Sequence, residues 1–368
     1  MTELLRRIKQ LIRVAGPIGV ADYMAMCLYD PASGYYTTAQ PFGIEGDFTT
    51  APEISQMFGE LVAVWIYSAW VAGGRPSPAV IAEIGPGRGT LMSDMLRTLS
   101  KLDHELVRTA RFAMIEASPR LQAVQRQTLV DAPAIPEWHA SLLELPAAPL
   151  FIIGNELFDA IPIRQFVKSA EGWRERVIGV VGTGEREGDT AELRFMAGAG
   201  SVDSALLPPD AASAPEGAIV ELAPAREALM DEIASRIARH GGAGLFIDYG
   251  YERPAVGDTF QAMRRHRFDD VLAHPGEADL TAHVDFGALA GRGRAAGLDA
   301  HLTTQGEFLM GMGLAERAAK LASGAGAAAR ARIASQAERL AGPNTMGKLF
   351  KTLAVFPQGV KIPPFAAD

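Results

Sequence analysis

One segment limits the fold of this chain more than any other. Val80-Ile81-Ala82-Glu83-Ile84 runs directly into Gly85-Pro86-Gly87-Arg88-Gly89-Thr90. The first part is apolar at both parities apart from one acid. It therefore reads as a strand buried on both faces, as in a parallel sheet. The glycines after it let the backbone turn sharply and approach a ligand closely. The helix that begins at Thr90 then offers N–H groups to an anion. A nicotinamide loop carries its third glycine one residue later; here Thr90 occupies that place.

The same pattern recurs downstream. Apolar runs at Phe112–Ile115, Leu150–Ile153 and Leu245–Ile247 end at Glu116, at Asn155-Glu156 and at Asp248-Tyr249-Gly250. Helical periodicity spans Thr90–Leu99, Pro119–Thr128 and Ala225–His240. This alternation predicts an α/β fold: a Rossmann-like, mostly parallel sheet with helices on both faces. Residues 1–75 read as an N-terminal helical and loop extension, including a helix over Ile54–Val71, and 76–368 as the sheet domain. Within that domain, 161–217 breaks the rhythm. Ile163–Lys168, Trp173–Val181 and Glu192–Met196 look like antiparallel strands between Gly- and Pro-rich loops, a β-rich insertion. The Ala-rich stretch Leu314–Leu340 reads as helix with a weak point at Ser323-Gly324-Ala325-Gly326.

Composition narrows the function. With 48% hydrophobic and 21% charged residues, the chain can build a sizeable core. A net charge of -8 argues against a general nucleic-acid binder, which needs a basic face. Cys27 is the only cysteine, so no intrachain disulfide or Cys-based metal site can form. His240, His283 and His301 lack metal-ligand spacing, and no metal is expected. There is no G-x-S-x-G elbow to support serine hydrolysis. No run approaches the ~20 apolar residues of a membrane span. The opening helix, Met1 to Arg13, carries no secretory cleavage pattern, which leads to the expectation of a cytoplasmic protein.

In open α/β sheets, ligands bind beyond the carboxyl ends of the strands. The acid Glu83 ahead of a G-x-G-x-G turn fits S-adenosyl-L-methionine better than a dinucleotide. Glu83, Gly85, Gly87, Gly89 and Thr90 are therefore expected at the cofactor. Glu116 ends the second strand, where a carboxylate can accept from both ribose hydroxyls. Asn155 lies beside them, and Glu156 and Asp159 are the candidate catalytic acids. The plainer alternatives are an ordinary glycine turn, a strand-end acid, a helix cap at Asp159 and a commonplace turn at Asp248-Tyr249-Gly250.

Further blocks carry a family resemblance. They are Leu28-Tyr29-Asp30-Pro31 with Gly34-Tyr35-Tyr36, Gly46-Asp47-Phe48-Thr49-Thr50-Ala51-Pro52-Glu53-Ile54-Ser55 with Phe58-Gly59, the glycine loop, and Asn155-Glu156-Leu157-Phe158-Asp159-Ala160. Asp279-Leu280-Thr281-Ala282-His283-Val284-Asp285-Phe286, Thr304-Gln305 with Phe308-Leu309, and Met346-Gly347 complete the set. Together they resemble the MidA-like methyltransferases across nearly the whole chain; Lys348 departs from the pattern, at a position where an acid is expected. The resemblance implies a class I methyltransferase sheet and protein-arginine methylation. Its mitochondrial members are complex I assembly factors, so it also implies symmetric dimethylation of an arginine on a complex I subunit. It places the 43–53 loop over the cofactor, which makes Asp47 and Glu53 further catalytic candidates and Thr49 and Thr50 cofactor contacts. Two rivals stand beside this reading: a small-molecule O- or N-methyltransferase, which needs a closed apolar pocket, and a non-catalytic assembly chaperone that binds the cofactor. Assembly into a homodimer is left open.

Overall fold

Five consecutive buried side chains leave Val80–Ile84 with no solvent face, and one unit of the protein is arranged around this strand. The computed structural model describes residues 2–38, 50–182 and 191–365, which group into two units. The described residues within Thr49–Phe158, Glu227–Glu252 and Val284–Asp368 form one; those within Met1–Phe48, Asp159–Arg226 and Arg253–His283 form the other. The sequence rhythm drew its divisions elsewhere, at residue 75 and around 161–217.

In the first unit the chain runs α1 (Ala51–Ile54), α2 (Gln56–Ala72), β1 (Val80–Ile84), α3 (Thr90–Leu102), β2 (Arg111–Ile115), α4 (Pro119–Thr128), β3 (Glu137–His139), β4 (Leu150–Asn155), β5 (Gly242–Tyr251), β6 (Leu298–Thr304) and β7 (Phe350–Pro357). An 8-stranded sheet follows the order β6-β7-β5-β4-β1-β2-β3, with Val284–Asp285 pairing off β5. β1 pairs in parallel with β2 on one side and β4 on the other. β7 is antiparallel to both β5 and β6. The expected α/β sheet is thus present. The single helix expected over Ile54–Val71 is interrupted at Ser55, whose extended backbone (φ -161°) ends α1 and whose hydroxyl accepts from the Met57 N–H to begin α2. The Ala-rich stretch divides at its glycines into Leu314–Ala322 and Ala327–Ala341.

The core of this unit joins α2 (Met57, Phe58, Trp65), α3 (Met92, Leu96) and the strands (Ile81, Phe151, Leu245). Helices α2 and α3 come unusually close at Gly59, where a Cβ would lie 2.6 Å from the Asp94 Cβ. Just beyond, Glu60 receives Arg317 through two bonds of 2.7 and 2.8 Å.

The second unit holds a 5-stranded antiparallel sheet. Gly172–Val181 pairs with Ile18–Gly19, Arg164–Ser169 and Glu192–Ser201, and Ile219–Leu222 pairs with Arg164–Ser169. A smaller sheet joins Gln261–Arg264 to Arg267–Asp269 and Asp279–Thr281. The helices Glu3–Ala15 and Val20–Tyr29 supply Leu4, Ile8, Ile12, Tyr23, Met24 and Leu28 to this unit's own core. No helix among the described residues is long and apolar enough to cross a membrane.

The α2–α3 contact yields a direct test. Gly59→Val places two methyl groups where Asp94 already sits, and overpacking of this kind costs about 1–3 kcal/mol. Urea unfolding should show a lowered midpoint; an unchanged midpoint would contradict the close approach.

Candidate functional site

Because β1, β2 and β4 are parallel neighbours, their carboxyl ends lie side by side and present the glycine loop, Glu116 and Asn155-Glu156 on one edge of the sheet. Gly85, Gly87 and Gly89 all adopt positive φ (66°, 51° and 82°). Gly89 is the left-handed N-cap of α3. A Cβ there would meet Met114 Cε at 3.4 Å and Gln125 Cγ at 3.5 Å, so the loop is seated directly on β2 and α4. Thr90, half-buried, opens the helix. The first N–H groups of a helix have no partner within it, and the Met92 N–H is used to bond the Glu83 carboxylate.

Glu83 is the most strained electrostatic feature of the edge. It is 3% exposed, burial pushes its pKa up to about 8, and its Oε2 has no partner among the described residues. A buried carboxylate oxygen beside the start of a helix matches a ligand that carries both an ammonium and a carboxylate, as the methionine end of S-adenosyl-L-methionine does. Glu116 suits the ribose. Its Oε1 accepts from the Ser118 N–H at 2.8 Å and its Oε2 from Gln125 Nε2 at 3.2 Å. Each oxygen keeps acceptor capacity for one of two vicinal hydroxyls. Burial raises the Glu116 pKa, and these same bonds oppose the rise.

At the end of β4, Glu156 is held at φ 50°, a left-handed conformation that costs a non-glycine residue on the order of 1–3 kcal/mol. Its Oε1 accepts from Asn155 Nδ2 at 3.1 Å and from the Ala51 N–H at 3.2 Å. Asn155 Oδ1 is buried without a partner among the described residues. Thr50 caps α1 through its backbone, with no side-chain cap bond. Glu53 forms an ion pair with Arg88 of the glycine loop at 3.5 Å, so its carboxylate is engaged with the loop itself. Asp47 and Thr49 lie outside the described residues.

Asp159 belongs to the other unit. It is 6% exposed, and its carbonyl accepts from the Ala282 N–H at 3.1 Å and from Arg226 Nη2 at 2.9 Å. The buried Arg226 guanidinium also donates to the carbonyls of Ile161, Ala282 and His283, clamping 159–161 to 282–283. In the same unit the Tyr36 hydroxyl donates to Asp279 Oδ1 at 3.0 Å. Burial pushes the Tyr36 phenol well up, and Asp279 and Asp159 add to the rise.

Three residues outside the expected site set also hold main chain in place. Asp248 reads as part of a turn, yet its Oδ2 accepts from the Phe158 N–H at 2.9 Å and steadies the chain just after Glu156. Arg226 carries no local pattern. Gln125 does carry one: it stands one helical turn after Leu121, on the buried face of α4, where a polar side chain requires partners.

Comparisons with known proteins identify the family. The model of a family of S-adenosyl-L-methionine-dependent methyltransferases matches residues 61–304. The mitochondrial protein arginine methyltransferase NDUFAF7 of Danio rerio is 34% identical over 96% of this chain and 86% of its own length. The protein of the same name from Homo sapiens is 34% identical over 97% and 84%. A Burkholderia thailandensis protein of methyl-transferase type, crystallised with S-adenosyl-homocysteine, is 30% identical, superposes with a TM-score of 0.81, and is matched over 97% of this chain and 92% of its own. The chain belongs to this family of S-adenosyl-L-methionine-dependent methyltransferases. One expectation is corrected: these relatives are named as mitochondrial proteins, which points away from the cytoplasmic location drawn from the opening helix.

Two binding measurements follow. Glu116→Ala removes the acceptor for the ribose and should weaken S-adenosyl-homocysteine by on the order of 1.5–3 kcal/mol in a calorimetric titration, with thermal unfolding little changed. Wild-type affinity would place the ribose elsewhere. For Glu83, with a pKa of about 8 before binding, the neutral form dominates at pH 7. An ammonium beside it favours the ionised form, so binding releases a proton and affinity rises with pH, flattening above about pH 8. Titrations in buffers of different ionisation enthalpy should show more proton release for wild type than for Glu83→Gln. Comparing the two variants cancels the ligand's own amine, and equal release would contradict the assignment.

Proposed function

We propose that this methyltransferase modifies arginine side chains of a protein, and that the reaction is symmetric dimethylation of an arginine on a respiratory complex I subunit. The observation that carries the reading is Glu156: a non-glycine residue held at φ 50°, its carboxylate anchored by two donors at the end of the strand next to the glycine loop. Strain retained at such a place marks a position whose side-chain direction matters. The names of the relatives, protein arginine methyltransferases, supply the acceptor class.

An arginine side chain is always protonated and its nitrogens are poor nucleophiles. A carboxylate that accepts from two guanidinium N–H groups draws the positive charge towards itself and fixes the plane of the group. The remaining nitrogen is then turned outward. Glu156 holds the guanidinium in this reading. The anchored Oε1 gives Glu156 one orientation, which suits a reaction whose rate depends mainly on placing the nucleophile within roughly 3–3.5 Å of its target. S-adenosyl-L-methionine supplies the methyl group on a positively charged sulfur. With the cofactor bound, a nitrogen–carbon bond would form as the carbon–sulfur bond breaks, leaving neutral S-adenosyl-homocysteine; the methylated nitrogen would lose one proton to solvent, and the guanidinium would remain a cation that the Glu156 carboxylate can hold for a second round.

Glu156→Gln tests the assignment. The amide keeps the size and loses the charge. Cofactor affinity should stay near wild type, because Glu83, the glycine loop and Glu116 are untouched. Transfer of radiolabelled methyl to an arginine-containing complex I subunit peptide should fall by a factor on the order of 10². Full activity would remove Glu156 from the mechanism, and loss of binding together with activity would make it a cofactor ligand. Absence of transfer by the wild type to any arginine peptide or to whole lysate would favour the chaperone reading.

A further inference from the structure

The glycine loop and Glu116 leave neighbouring strands, and the backbone joins them through the Gly85 N–H and the Ile115 carbonyl at 3.1 Å, short of Gly87 and of the Glu116 side chain. One side chain spans the gap. Gln125, 0% exposed on α4, donates from Nε2 to the Gly87 carbonyl at 2.9 Å and to Glu116 Oε2 at 3.2 Å. Its Oε1 accepts from Trp138 Nε1 at 2.9 Å. An amide has two Nε2 hydrogens, and both are spent here. The Trp138 bond decides which end of the amide faces the site, because an indole N–H can only donate. The Arg126 guanidinium lies over the Trp138 ring at 3.9 Å and holds that ring from the other side.

We propose that Gln125 is a positioning residue for the cofactor: its amide ties Gly87 to Glu116 and supplies one of the hydrogen bonds that aim the Glu116 carboxylate at a ribose. The inference rests on the assignment of Glu116 to the ribose and adds a residue that never touches the ligand.

The chemistry separates this role from packing. Glu116 is raised by burial and lowered by its partners, Gln125 among them. Loss of the amide donor moves its protonation to higher pH, and a protonated Glu116 is a poorer acceptor for hydroxyls. The charged groups on the elements around it include Arg111 on β2, Glu83 on β1, Arg88 in the glycine loop, Arg120 and Arg126 on α4, Glu137 and His139 on β3, and Glu144 beyond that strand; Arg111 pairs with Glu137 at 2.6 Å. His139 is paired with Glu137 and Glu144 at 3.6 and 3.7 Å. The donors to Glu116 are the Ser118 and Ala117 N–H groups and the Gln125 amide.

The test is S-adenosyl-homocysteine affinity between pH 6 and pH 8, each variant expressed relative to wild type at the same pH. Gln125→Met keeps the bulk and removes the amide. Its affinity should fall on the order of tenfold at pH 8, and the deficit should widen at pH 6. Gln125→Glu should behave in the opposite sense. At pH 8 a second carboxylate repels Glu116. At pH 6 a proton shared between the two restores a donor, and the deficit narrows. A packing defect alone gives both variants the same deficit at every pH, and that result, or wild-type affinity in both, overturns the proposal. If neither variant folds by thermal unfolding, Trp138→Phe decides. It changes only a half-buried ring and frees the amide to turn, so a several-fold loss supports the role and wild-type affinity refutes it. Wild-type affinity in Glu116→Ala would overturn the ribose assignment and this proposal together. A weakened Glu116→Ala beside unaltered Gln125 and Trp138 variants would remove Gln125 alone.

Discussion

Everything at the candidate site depends on β1 having no exposed face. A strand covered by neighbours on both edges and by helices above and below can present chemistry only where it ends. The chain leaves β1 by a turn that needs three left-handed glycines, and that turn brings bare backbone, a helix start and the carboxylate of Glu83 together. β2 and β4 are nearly as enclosed; β2 is followed at once by the acid Glu116, and β4 ends in the amide Asn155. The cofactor site follows from the sheet order: β1 has β2 on one side and β4 on the other, so the three ends converge.

Convergence alone does not fix geometry. The distances come from side chains that hold backbone. Gln125 ties the glycine loop to Glu116, Glu53 pairs with Arg88 of that loop, Asp248 bonds the Phe158 N–H, and Arg226 clamps the stretch beginning at Asp159. Each is buried or half-buried, and each spends its polar atoms on the main chain or on another site residue. In a low-dielectric interior an unpaired polar group is costly, which makes these side chains effective positioners. Glu83 Oε2 and Asn155 Oδ1 have no partner among the described residues, and both lie at the strand ends where a ligand is expected.

The parallel centre of the sheet was legible because β1, β2, β4 and β5 are nearly continuous apolar runs that end in recognisable residues. The antiparallel side was not. β6, Leu298-Asp299-Ala300-His301-Leu302-Thr303-Thr304, mixes polar and apolar residues and has one neighbour. β7 is apolar enough to see, but the four helices Gln305–Gly311, Leu314–Ala322, Ala327–Ala341 and Met346–Leu349 lie between it and β6, and the pattern does not tell that the two strands then pair antiparallel. β3 is three residues long and partly exposed at the sheet edge. Glu83, the glycines, Glu116 and Glu156 were read from their positions at strand ends. Gln125 shows as a polar residue on the buried face of α4, but which groups it holds is not encoded locally, and Arg226 and Asp248 act through partners distant in sequence. Glu53 shows the converse: the sequence made it a candidate acid, and the structure engages it with Arg88.

The measurement that bears most directly on this account is a crystal structure of the chain with S-adenosyl-homocysteine bound. The account predicts the ribose hydroxyls on the two oxygens of Glu116, the amino group against Glu83 and the carboxylate at the start of α3. A ligand bound away from the ends of β1 and β2, or with its ribose out of reach of Glu116, would contradict it.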